Sequence, residues 1–211
     1  KLKIKCYADS YQFPWLRFGV DAPSKGNDIL LQSDYKISRS IKMYARYKYE
    51  KKEDGITASS AVSAKRKDNF RFHINYKEGE SWAFVNRFES TIIHFNNQKE
   101  NGYMLYQDVK YKPLFGKLTF SSRYVLFNTP TYDSRIYAYE NDVLYGYSIP
   151  SYYGKGSKIY VVAKSNIFRN LDAWLRIAHT KFTDREVLKS GWDEIDGNKM
   201  TEVKVQLRYK F

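Results

Sequence analysis

Along residues 201–211 the side chains alternate with a period of two, and that spacing leaves a strand as the only regular structure that sorts them. Val203, Val205, Leu207, Tyr209 and Phe211 fall in one series; Lys204, Gln206, Arg208 and Lys210 fall in the other. A helix would scatter both series around its axis, whereas a strand gives one wholly apolar and one wholly polar face.

The pattern recurs upstream. Ile41, Met43, Ala45, Tyr47 and Tyr49 alternate with Lys42, Tyr44, Arg46, Lys48 and Glu50, and Phe70, Phe72, Ile74 and Tyr76 with Arg71, His73, Asn75 and Lys77. Leu118, Phe120, Ser122, Tyr124 and Leu126 alternate with Thr119, Ser121, Arg123, Val125 and Phe127; Leu2, Ile4, Cys6 and Ala8 alternate with Lys1, Lys3, Lys5 and Tyr7. Weaker alternation runs through 29–36, 82–93, 103–111, 159–165 and 171–178. Such segments at hairpin spacing predict an antiparallel all-β protein. The connections sort into short ones (37–40, 78–81, 113–117, 166–170) and longer polar ones (10–27, 51–68, 96–102, 128–133, 150–157, 183–200). Short turns at one rim and long loops at the other are the asymmetry of outer-membrane barrels. The apolar series that ends on the aromatic Phe211 points the same way. Keeping the rims in phase requires 134–140 and 143–149 to be strands around a tight turn at Glu140–Asp142. The expectation is a transmembrane antiparallel β-barrel of roughly twelve strands, an even number as single-chain bacterial barrels have. It either closes by itself or forms the C-terminal part of a larger barrel. One domain is expected over 1–211, read as a fragment of a longer chain.

Composition narrows the classes. No run approaches the roughly 18 apolar residues of a transmembrane helix, and mean hydropathy is low. A barrel strand with one lipid face and one polar face averages to just such a value. Aromatics make up 18% of residues, led by 20 Tyr, which suits porin-like aromatic girdles with a wet polar tip on each ring. The single cysteine, Cys6, excludes a disulfide framework within the chain. A net charge of +13 admits polyanion binding, cations facing a polar lumen, or contact with anionic lipid.

The face assignment selects the candidate residues. Lys42, Arg46, Lys48, Arg71, Arg123, Arg176, Lys204 and Arg208 should line the lumen; Val203, Val205, Leu207, Tyr209 and Phe211 should face lipid. Rings of Lys and Arg select anions in open pores. Alternatively the cations pair with Asp34, Glu50, Glu89, Asp108 and Asp172, and a lumen of this strand number is filled by side chains. The packed reading is preferred. Catalysis is not expected: His73, His94 and His179 have no nucleophile motif beside them. The acids Asp184, Glu186, Asp193, Glu194 and Asp196 miss the spacing of a calcium loop, so no metal or cofactor is expected. The run Lys65–Lys67 is placed in a long outer loop, within reach of lipopolysaccharide phosphates.

Five stretches resemble one family. FPWLRFGVDAPS (13–24), YMLYQDVKYKPL (103–114), YDSRIYAYENDVLYGYSIPSYYGKG (132–156), RNLDAWLRIAHT (169–180) and DEIDGNKMTEVKVQLRYKF (193–211) are similar to the C-terminal barrel of a Bacteroidetes outer-membrane family. Its longer members carry periplasmic helix-hairpin-helix repeats before the barrel. The resemblance implies location in the bacterial outer membrane, with lipid, lipopolysaccharide and other outer-membrane proteins as partners. Nucleic acid would be met only through an absent upstream segment. The expected role is a non-enzymatic membrane anchor or scaffold, a subunit of an outer-membrane complex. The rivals are an anion-preferring pore, a soluble basic β-sandwich that binds polyanions, and a barrel-embedded lipid hydrolase.

Overall fold

The computed structural model describes residues 1–55 and 62–211. Ten long strands form one antiparallel sheet, each bonded to the next in chain order. They are β1 (Leu2–Phe13), β2 (Ser24–Lys36), β3 (Ile41–Gly55), β4 (Val62–Glu78), β5 (Trp82–Phe95), β6 (Gln98–Tyr111), β7 (Leu118–Thr129), β8 (Gly154–Phe168), β9 (Leu171–Phe182) and β10 (Lys199–Tyr209). The connections 37–40, 79–81, 112–117 and 169–170 lie at one end of the sheet; 14–23, 96–97, 130–153 and 183–198 lie at the other. The segregation of lengths has one exception. The 96–102 loop of the sequence reading is a two-residue turn in which Asn96 and Asn97 take φ of 48° and 63°, the left-handed pair that matches the twist of a hairpin.

The strands are longer than the alternation suggested. Most of 51–68 belongs to β3 and β4, which pair as far as Gly55 and Val62, while 56–61 falls outside the described residues. The basic run therefore lies on a strand, and period two splits it. Lys65 and Lys67 go to one face, and Arg66 goes to the other, where it meets Asp68 at 2.7 Å.

Two faces with opposite chemistry result. On one, Leu31, Phe72, Phe88, Leu105, Leu126 and Ile177 are exposed. On the other, Arg87, Glu89, Asp108, Arg123, Asp172 and Arg176 are buried. An apolar sheet face left in water forfeits about 25 cal/mol for each Å²; hydrocarbon removes that cost. Near the short turns the apolar face carries an aromatic group, with Trp82 and Tyr111 centroids 4.4 Å apart and Phe84 stacked 6.1 Å from both Trp82 and Tyr76. All ten long strands belong to one sheet, and the other two sheets among the described residues are two-stranded hairpins, so the two-sheet sandwich of the soluble alternative is not what forms.

Among the described residues the sheet has ten strands, against the roughly twelve expected. The segment expected as two further wall strands forms a small hairpin that lies on the charged face. Ile136–Tyr137 pairs with Ser151–Tyr152, and Glu140 bridges to Ser148. Ile136, Ala138 and Tyr152 are buried on Val85, Met104, Tyr106, Val125 and Phe127. The physical reason is a patch of apolar side chains in the polar series of β5–β7, brought together because Met104 faces Phe127 and Tyr106 faces Val125. That patch needs a cover, and 130–153 supplies it. At the sheet edges β1 and β10 do not pair with each other.

Candidate functional site

The charged face is organised by cross-strand register. Where opposite charges meet across a ladder they pair directly. Arg71 lies opposite Glu89 and bonds it at 2.7 Å. Arg123 lies opposite Asp108, at 2.5 Å from Nε and 2.7 Å from Nη2, a bidentate contact. Arg208 lies opposite Asp172 and donates to it from Nε at 3.1 Å. Bidentate guanidinium–carboxylate pairs are among the stronger polar contacts available to a protein. Lys5 reaches Asp34 at 2.6 Å, and Lys48 lies 3.2 Å from Asp28 and 3.4 Å from Glu50. All five carboxylates named from the sequence as counter-charges therefore hold cations.

Register also sets like charges face to face, which is destabilising in a sheet. Arg176 lies opposite Lys204, and Arg46 lies opposite Arg71. The first conflict is resolved by the hairpin. Glu140, fully buried, accepts from Arg176 at 2.5 Å and from Lys158 at 2.9 Å, and Asp142 accepts from Lys204 at 2.9 Å. Glu202 on β10 also bonds Arg176. The Tyr152 hydroxyl donates to Glu140 at 2.6 Å; burial and then the Glu140 charge push its pKa up, so it remains a donor. Burial by itself raises the Asp142 carboxyl. Bonds from Lys204 and the Val143 N–H, with Arg176 nearby, outweigh it and hold the group below the usual carboxylate range.

Backbone carbonyls of the hairpin complete the contact. Arg87 donates to Tyr137 O at 3.1 Å and Arg123 to Tyr139 O at 2.6 Å. Arg123 also lies 3.7 Å from the centre of the Tyr106 ring, a cation–π geometry that favours a desolvated guanidinium. The hairpin is thus held by buried ion pairs, cation-to-carbonyl bonds and an apolar patch across β5–β10.

The eight cations selected from the sequence, Lys42, Arg46, Lys48, Arg71, Arg123, Arg176, Lys204 and Arg208, all lie on this face. Six of them reach carboxylates; Lys42 and Arg46 do not among the described residues. Val203, Val205, Leu207 and Tyr209 lie on the opposite, apolar face, while Phe211 follows the end of β10 and packs edge-on against Tyr209. His73 is stacked on Tyr44 on the charged face, and His179 meets Thr201 on the apolar one. Among the described residues no three His, Cys, Asp or Glu gather as a metal site. The residues that sequence reasoning missed are Glu140, Asp142 and Glu202. The available signal was Val125 and Phe127 interrupting a polar series, together with Arg176 and Lys204 set face to face across the β9–β10 ladder.

No protein-family model and no curated protein matches the sequence. Among solved structures the chain is similar to one described as "Copper transporter OprC", with a TM-score of 0.50 and 9% sequence identity. The likeness covers 97% of this chain and 37% of that one, so the chain spans little more than a third of the neighbour's length. At that identity the comparison concerns the fold alone: the chain has the antiparallel sheet of an outer-membrane β-barrel.

Proposed function

We propose that the chain is the membrane-spanning wall of an outer-membrane barrel and serves as an anchor or scaffold, with its interior closed rather than conducting. The observation that carries this is the hairpin 130–153 docked on the charged face, whose Glu140 and Asp142 neutralise Lys158, Arg176 and Lys204, three cations an anion pathway would use. The apolar face meets hydrocarbon, and the aromatic group around Trp82 sits at the level of the head groups as part of a girdle. Lipid and lipopolysaccharide are its immediate partners. The test is conduction of the purified protein in a planar bilayer. A silent membrane, from protein whose gel mobility shifts only after boiling, supports the closed scaffold; a steady anion-selective current defeats it.

A transport role is the second reading, favoured by the likeness to a transporter's fold. On that reading the hairpin is a gate, and Glu140→Gln combined with Asp142→Asn raises conductance above a silent wild type. The neighbour's copper is not carried over, since among the described residues no His, Cys and acid cluster is present.

A further inference from the structure

We propose that the cavity between the hairpin and strands β3–β5 is a binding site for a phosphate-class oxyanion. The cavity measures about 210 Å³, below the roughly 300–1,000 Å³ of drug-sized sites, so its size suits a small ligand. Its lining carries five cations, Arg46, Lys48, Lys67, Arg71 and Arg135, against two carboxylates, Glu50 and Glu89.

Both carboxylates are already engaged. Glu89 holds Arg71 and Arg87, and Glu50 holds Lys48 and Lys52. Three cations remain without one. Lys67 donates to the backbone oxygen of Asp133 at 2.9 Å, and Arg135 donates to the Tyr137 hydroxyl at 2.6 Å. The buried Nε of Arg46 has no acceptor among the described residues. Residues 56–61 (Ile-Thr-Ala-Ser-Ser-Ala) contain no acid and so offer these cations no side-chain carboxylate.

The register gives the reason the ligand must be anionic. Arg46 lies opposite Arg71, the same like-charge conflict that Arg176 and Lys204 present. In that second case the chain supplies two carboxylates from the hairpin. At Arg46 it supplies none: Glu89 on β5 bonds Arg71 and Arg87, and Arg46 is left beside them without an acid of its own among the described residues. A doubly charged oxyanion between Arg46, Lys67 and Arg135 would relieve that repulsion. Its several acceptor oxygens match the fixed fork of a guanidinium better than a halide does. The buried Thr91 hydroxyl lines the same cavity; it accepts from the Asn69 amide at 3.0 Å and keeps its own O–H to donate.

The inference does not depend on whether the interior conducts. It is tested by equilibrium dialysis of the detergent-solubilised protein with radiolabelled inorganic phosphate in about 0.15 M chloride, near physiological ionic strength. Saturable binding is expected, with Arg46→Gln and Arg135→Gln each weaker by roughly tenfold or more, as for loss of a charge-assisted bond. Arg46→Lys falls between, and Lys3→Gln, an exposed cation at the sheet edge, leaves binding unchanged. Each variant is first shown to keep its heat-dependent gel shift. Glycerol phosphate, run in parallel, distinguishes a monoester site from one for the free ion. Absence of saturable phosphate binding by the wild type overturns the proposal. So does an Lys3→Gln protein weakened as much as Arg46→Gln, which would reduce the effect to net charge.

Discussion

The charged face has two halves that meet the same problem differently. Across β5–β10 the cations are covered by the hairpin and neutralised by its acids, and Arg176 is 2% exposed beneath it. Across β3–β5 the cations outnumber the acids, and Arg46 and Lys67 remain half-buried without carboxylate partners. A strand face built with an excess of one charge needs an external counter-ion, a folded-in segment or an exchangeable ligand. This chain uses the folded-in segment on one side only. The contrast separates where the protein is locked from where it is receptive.

Removing one partner from the locked half should have the largest effect. Glu140→Leu removes the buried carboxylate that Arg176 and Lys158 share, and breaking a buried pair from one side costs roughly 3–5 kcal/mol. The expected result is release of 130–153, read as protease cleavage within that segment while β1–β10 remain resistant. Glu140→Leu with Arg176→Met should recover much of the loss. If the single variant is no more sensitive than wild type, the two halves do not differ in the way described.

The apolar face provides the next largest effect. Val205→Arg should cost roughly 2–4 kcal/mol of folding in lipid, the penalty for a cation near the midplane, whereas Gln206→Arg on the charged face should cost much less. Equal loss of folded yield would show the faces to be assigned wrongly.

Acid should loosen the locked half first. Asp142 has its carboxyl held below the ordinary range, so its contribution is complete above the unfolded value of about 3.9 and is lost as pH falls through the lower folded value. Hairpin cleavage by an acid-tolerant protease should therefore rise only well below about pH 4, and Asp142→Asn should abolish the dependence.

The smallest effect belongs to the receptive half. Lys48 bridges Asp28 and Glu50 with its side chain 31% exposed, and solvent screening limits such pairs to about 0–1 kcal/mol. Lys48→Gln should move the urea midpoint barely at all. A loss comparable to Glu140→Leu would erase the distinction between the halves.

Period-two alternation was sufficient to place Val205 on one face and Lys204 on the other, because side-chain direction in a strand is a local property of the backbone. The same rule located the short turns at 37–40 and 78–81, and it named Asp34, Glu50, Glu89, Asp108 and Asp172 as counter-charges. Segment 134–149 carried no comparable instruction. Its alternating tyrosines read equally well as wall strands or as a hairpin laid on the sheet, and β-propensity reports packing context more than backbone preference. Only the tertiary structure chose. It brought Glu140 to Arg176 across 36 residues and Asp142 to Lys204 across 62. It also assembled Met104, Val125 and Phe127 from neighbouring strands into a patch that had to be covered. Which residues belong on which face was thus written locally. Which segment covers the charged face, and which cations it leaves for something else, depended on charges and apolar surface distant in sequence that meet only when the strands take register.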